Sequence, residues 1–78
     1  MKFTQYFLHT RSRPDRVFIR QAWILHVIQN PEREQIQSDC RIRRWAKIAE
    51  NDSRVLRVVL LADGETVHNA FFDRGIRL

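Results

Sequence analysis

The sequence predicts a small α+β domain in which one main helix packs on a four-stranded antiparallel β-meander. Three observations indicate this fold. The stretch Arg54–Asp73 alternates apolar residues around an Asp-Gly pair, which is the strongest short-range signal for a β-hairpin. Residues 15–29 carry apolar side chains at helical spacing. The length of 78 residues fits one domain, near the lower limit for a single hydrophobic core.

The Asp63-Gly64 pair sets the expected register of the hairpin, as its two loop residues. Counting back from this loop pairs Leu60 with Val67, Val58 with Asn69 and Leu56 with Phe71. These side chains share one face, because side chains of a strand alternate between the two faces. The other face then carries Arg57 and His68.

The remaining elements follow from local signals. Residues 1–13 predict an N-terminal strand or arm. Residues 14–30 predict the helix, because Pro14 suits a first helical turn and the Asn30-Pro31 pair ends it. Residues 33–73 predict the four-stranded sheet, with a polar edge strand first and a polar loop at 49–53.

A second hairpin, pairing Ile48 with Arg54 across that loop, fixes the rest of the sheet. The predicted core face consists of Ile42, Ala46, Ile48, Leu56, Val58, Leu60, Val67 and Phe71. Arg44 falls on this face too, and a buried guanidinium needs a partner. Asn69 or a backbone carbonyl would serve, or the side chain extends past the sheet edge.

The opposite face collects basic and aromatic residues: Arg41, Arg43, Trp45, Lys47, Arg57 and His68. The formal net charge is +5, and almost all the cations are arginines, which suit phosphate and carboxylate. This pattern favours RNA or single-stranded nucleic acid as a partner, because cations hold phosphates and the indole stacks on a base.

The same face could cleave RNA without a metal ion. Arg43 and Arg57 would stabilise the charged pentavalent phosphate, and His68 would act as general acid or base.

The competing interpretation is a non-enzymatic interaction module. In it the basic face docks an acidic protein partner or a second copy of the chain. An apolar seam would favour the homodimer, formed by Val55, Val59, Leu61 and Phe72. An ordinary solvated face is the third possibility.

Several classes of protein are not expected. One cysteine gives no internal disulfide, which favours a reducing cytoplasm. No apolar run reaches the roughly 18 residues of a membrane span, and the N-terminus is too polar for a signal peptide. Three scattered histidines give no metal-ligand spacing, and no motif indicates a cofactor. Cys40 stands in a turn where glycine is expected.

The segments WILHVIQNPE, QSDCRIRRWAKI and VLRVVLLADGETVHNAFFD together resemble small bacterial proteins related to the RelE/BrnT-like toxin superfamily. The shared features are the Asn-Pro helix stop, the arginine-rich strand and the central L-R-V-V strand. The resemblance covers roughly 15–73. It implies helices on an antiparallel sheet, an acidic antitoxin-like partner, and cleavage of ribosome-associated mRNA by residues at the positions of Arg43, Arg57 and His68.

Overall fold

The computed structural model describes all 78 residues as a five-stranded mixed sheet with one main helix and one short helix. In chain order the elements are β1 (Lys2–Phe3), α1 (Gln5–Thr10), α2 (Gln21–Gln29), β2 (Arg33–Ile36), β3 (Ile42–Ile48), β4 (Arg54–Leu60) and β5 (Thr66–Phe72). The strand order is β1-β5-β4-β3-β2, with β1 parallel to β5 and the other pairs antiparallel. The predicted four-stranded antiparallel meander is therefore wrong, although the α+β class holds.

The N-terminal segment supplies the fifth strand and the short helix. Lys2 and Phe3 pair with the start of β5, and the Thr4 N–H donates to the Val67 carbonyl at 3.0 Å. The Thr4 side chain then caps α1, because its hydroxyl oxygen accepts from the Phe7 N–H at 3.1 Å. Phe7 is buried and stacks on Phe3 with ring centroids 5.1 Å apart, which fixes α1 on the core.

The main helix starts later than the sequence predicts. The helix was expected over 14–30, but α2 begins at Gln21, and residues 11–18 form consecutive turns and bends. Arg16 explains this, because its guanidinium donates to the Asn69 side-chain oxygen at 2.9 Å and lies 5.5 Å from the Phe71 ring centre. These contacts hold the turns against β5. The predicted stop is confirmed, because Asn30 is the C-terminal cap.

The core lies between α2 and one face of the sheet. It contains Phe7, Trp23, Ile24, Val27, Ala46, Ile48, Leu56, Val58, Leu60, Val67 and Ala70. Among the apolar residues of the predicted helical stretch 15–29, Ile24 is buried, but Val17, Phe18 and Leu25 are exposed. Because the helix begins at Gln21, the stripe facing the sheet is set by the buried Trp23, Ile24 and Val27 instead.

The β3–β4 hairpin has the predicted register. Ile48 pairs with Arg54, and Arg44 lies opposite Val58 on the side that carries α2. Arg44 finds the partner that it needs: its guanidinium donates to the Ile28 carbonyl at 3.0 Å and to Glu34 at 2.6 Å. A backbone carbonyl was one of the expected partners. The other, Asn69, binds Arg16 instead.

The β4–β5 hairpin departs from prediction in its loop. The Leu61 N–H donates to the Thr66 carbonyl at 2.9 Å, so the loop contains residues 62–65 and not only Asp63 and Gly64. Inside the loop the Gly64 N–H donates to the Leu61 carbonyl, and Gly64 alone among the loop residues has a positive φ, +71°. Asp63 tightens the loop, because its carboxylate accepts from the Glu65 and Thr66 N–H groups and the Thr66 hydroxyl. These bonds lower the pKa of Asp63 to about 2.

A β-bulge then shifts the register of this hairpin. Leu60 pairs with Val67 as predicted, but Val59 pairs with Asn69, so His68 is an extra residue in β5. Beyond the bulge Leu56 pairs with Phe72 and not with Phe71. The shift turns Ala70 and Phe72 toward the core and Phe71 to the opposite face, which corrects the predicted core.

Neither helix has the length and apolar character needed to cross a bilayer.

Candidate functional site

The face of the sheet turned away from α2, which we call the back face, carries the predicted basic residues. By alternation from the core residues it contains Arg41, Arg43, Trp45, Lys47, Val55, Arg57, Val59, Leu61, Asn69 and Phe71. The structure therefore brings together the five residues predicted to bind nucleic acid: Arg41, Arg43, Trp45, Lys47 and Arg57.

Trp45 is not an exposed stacking surface. It is 4% exposed, and its indole N–H donates to the Asp73 carboxylate at 3.0 Å. The Arg57 guanidinium lies 5.6 Å from the centre of the indole. A ring covered in this way cannot stack on a base without a rearrangement, so Trp45 anchors the back face.

Arg57 lies among aromatic rings and one carboxylate. Its guanidinium is 5.1 Å from the Phe71 ring centre and 3.8 Å from the nearest Asp73 oxygen. Burial lowers the pKa of Arg57, the charge of Arg43 lowers it further, and Asp73 partly opposes both. The Arg57 Nε is buried without a hydrogen-bond partner. Cation–π contacts on two rings thus hold a positive charge at the centre of the back face.

Three other cations extend outward from β3 and the residue before it. Arg41 pairs with the exposed Asp39 at 3.5 Å, whereas Arg43 and Lys47 have no carboxylate within 4.0 Å. Arg43 lies against side-chain amides, at 3.5 Å from the Gln35 oxygen. Glu32 is the acidic group beside Lys47, but its carboxylate accepts from the Lys47 backbone N–H. Two of the three charges are therefore free for an anionic partner.

His68 lies in the bulge of β5 and is tied to the N-terminal segment. Its Nδ1 is hydrogen-bonded to the Thr4 hydroxyl at 3.1 Å, and its ring stacks on Tyr6 with centroids 4.9 Å apart. Burial lowers the pKa of His68, Arg41 lowers it further, and Asp39 partly opposes them. Because the Thr4 oxygen already accepts from the Phe7 N–H, its own proton is available to a neutral imidazole.

The three predicted catalytic residues are thus only partly gathered. Arg43 and Arg57 occupy neighbouring positions of paired strands on the back face, and the charge of Arg43 acts on Arg57. His68 lies beside the Val59–Leu60 step, and the charges that act on it come from Arg41 and Asp39.

Four residues of the site were missed by sequence reasoning: Arg16, Tyr6, Phe71 and Asp73. Phe71 was assigned to the core because nothing in the sequence marks the bulge. Asp73 matches no sequence motif, but its carboxylate accepts from the Trp45 indole N–H and lies near Arg57. The signal available in the sequence was that Asp73 directly follows the strand paired with the strand that carries Arg57.

No group of three or more histidine, cysteine, aspartate or glutamate side chains has the spacing of a metal site. Cys40 is an exposed free thiol. Comparison with family models, curated protein sequences and solved structures finds no match. The relationship to the RelE/BrnT-like toxins therefore stays a prediction from the sequence, and the geometry of the back face carries the functional argument.

Proposed function

We propose that the back face binds single-stranded RNA inside the cell through phosphate contacts made by Arg41, Arg43 and Lys47. The observation that carries this proposal is the alternation of the three cations along β3, with two of them free of any carboxylate. At about 3.3 Å per residue they form a line roughly 20 Å long. A line of separate charges suits an extended polyanion better than a compact anion.

The competing interpretation, a protein partner or a second copy of the chain, has less support. The predicted seam of Val55, Val59, Leu61 and Phe72 is broken. Phe72 packs against the core. Val59 is buried in the isolated chain, with only 6% of its surface exposed, so it has almost no area to offer a partner. Val55 and Leu61 remain half-buried, and two such side chains offer little of the roughly 800 Å² per partner that a stable interface buries.

The test is fluorescence anisotropy with a labelled oligouridylate of about twelve nucleotides, within the usual range of single-strand site sizes. The double variant Arg43→Gln/Lys47→Gln is expected to bind about tenfold more weakly than the native chain. The matched control is Arg11→Gln/Arg13→Gln, which removes the same charge from exposed residues in the turns between α1 and α2, outside the back face. Equal losses in both variants would show that only net charge matters and would refute the proposal.

Cleavage of the bound RNA is a second candidate, favoured by the state of His68. A histidine held neutral, with Nδ1 fixed by Thr4, leaves Nε2 to exchange a proton. In this mechanism Arg43 and Arg57 stabilise charge on the phosphate. His68→Gln should slow cleavage by about 100-fold or more while RNA affinity stays near the native value. Products on a denaturing gel that are unchanged by this substitution would exclude the role.

A further inference from the structure

A groove of about 820 Å³ lies where the turns before α2 meet the β3–β4 loop and the end of β5. Its lining includes Phe18, Phe72, Arg54 and Arg74. None of these residues belongs to the predicted site. The groove combines an aromatic surface with cations, which are the two components of a site for one nucleotide of a single strand.

Phe18 provides an open aromatic surface in this groove. It is 51% exposed, and it lies nearly parallel to Phe72, with 9° between the ring planes and 6.3 Å between their centroids. Phe72 in turn meets Trp23 edge-on at 6.1 Å, so the stack is anchored in the core. A ring supported from beneath and open above can accept a flat ligand without repacking the protein.

Two cations in the groove are available to a phosphate beside the ring. Arg54 and Arg74 are exposed and have no carboxylate within 4.0 Å.

Three carboxylates also line the groove. Asp15 lies 3.7 Å from Arg16, and Asp73 binds Trp45, so both are engaged. Asp52 is in no ion pair, so its carboxylate is free to accept a hydrogen bond from an N–H on the edge of a base, such as N3–H of uracil.

The backbone at the rim of the groove is strained. Asp52 and Ser53 have φ values of +55° and +56°, in the left-handed region that side chains other than glycine rarely adopt. Consecutive residues with positive φ are the geometry of a tight hairpin turn, so Asp52 and Ser53 turn the chain from β3 into β4 and shape the rim of the groove.

The groove is continuous with the back face. Val55 and Asp73 line it, the Asp73 N–H donates to the Val55 carbonyl at 2.9 Å, and Val55 pairs with Lys47. Lys47, the last cation of the line on β3, is therefore one strand spacing, about 5 Å, from the lining of the groove. An RNA strand that extends beyond Lys47 would therefore enter the groove next.

We propose that the groove is a base-stacking subsite, in which one nucleobase of the RNA stacks on Phe18 and its neighbouring phosphate binds Arg54 and Arg74. This inference rests on the proposed RNA binding by the back face. It adds that full affinity requires the bases of the RNA as well as its phosphates.

Two probes separate the subsite from the phosphate line: the labelled oligouridylate, and an abasic ribose-phosphate oligomer of the same length. Phe18→Leu keeps an apolar side chain on Phe72 but removes the ring. It should weaken oligouridylate binding about tenfold and leave abasic binding unchanged. Phe18→Trp should keep the affinity, and its added fluorescence should be quenched by oligouridylate and not by the abasic oligomer.

The possible results have distinct meanings. If Phe18→Leu binds both probes as the native chain does, the subsite is refuted while the phosphate line stands. Equal weakening with both probes also refutes it, because the ring would then act through the fold. If the native chain binds neither probe, the proposed function itself fails. Should Phe18→Leu not fold, as seen by circular dichroism, the quenching of Phe18→Trp decides.

Discussion

Replacing Asp73 by alanine tests whether the back face is built as the structure indicates. The substitution removes the acceptor of the Trp45 indole N–H, whose ring is 4% exposed, and the carboxylate 3.8 Å from Arg57. A buried donor left without an acceptor costs about 1–3 kcal/mol. The Arg57 pair is partly exposed and adds at most about 1 kcal/mol. We expect the free energy of unfolding to fall by about 2–3 kcal/mol.

Thermal unfolding followed by circular dichroism measures this loss. For a chain of this size about 1 kcal/mol lowers the midpoint by roughly 4–8 °C, so Asp73→Ala should unfold about 10–20 °C below the native chain. Asp73→Asn keeps an oxygen for the indole and is the matched control, with an expected loss of about 1 kcal/mol. A midpoint of Asp73→Ala equal to that of the native chain would refute the account of Trp45 and Arg57.

Three further predictions concern stability. Cys40 has φ +70°, so Cys40→Gly should raise the free energy of unfolding by about 0.5–1 kcal/mol in urea. Arg44→Met keeps an apolar stem but loses the bonds to Glu34 and the Ile28 carbonyl, and it should cost about 1–2 kcal/mol in the same assay. His68 has a lowered pKa in the folded state, so the unfolded chain binds its proton more readily. This difference in pKa stabilises the folded chain fully above the ordinary histidine pKa of about 6.5. The stabilisation is lost as the pH falls toward the lower pKa of His68 in the folded chain.

Each of these predictions can be contradicted. An unchanged or lower urea midpoint for Cys40→Gly would show that the turn does not need a left-handed residue. A native midpoint for Arg44→Met would mean that water replaces both of its bonds at no cost. For His68 the comparison is with His68→Gln: the native chain should lose more stability between about pH 7 and pH 5 than the variant. Parallel pH profiles would remove His68 as the cause.

Parts of the fold could be predicted from the sequence because their local signals were unambiguous. The polar loop between Ile48 and Arg54 fixed the β3–β4 register, and with it the row of cations on β3. Arg44 could be assigned to the core side, and a backbone carbonyl was one of the partners considered for it. The unfavourable position of Cys40 was also visible, because glycine suits the left-handed region of a turn.

Other parts depend on tertiary contacts that leave no local pattern. The bulge at His68 follows from packing on both faces of β5, and alternation of apolar residues on that strand fits either register. The late start of α2 depends on Arg16 reaching Asn69, which is far away in the sequence. The N-terminal cap at Thr4 was an available signal that was not used, because the alternation of nearby aromatics suggested a strand.

The salt dependence of binding to the labelled oligouridylate tests the central claim most directly. If Arg41, Arg43 and Lys47 each neutralise one phosphate, the logarithm of the association constant should fall with the logarithm of salt concentration at a slope of about −2, and more steeply if the groove also binds. Arg43→Gln should make this slope shallower by about 0.7. A slope near zero, or one that Arg43→Gln leaves unchanged, would contradict binding by the back face.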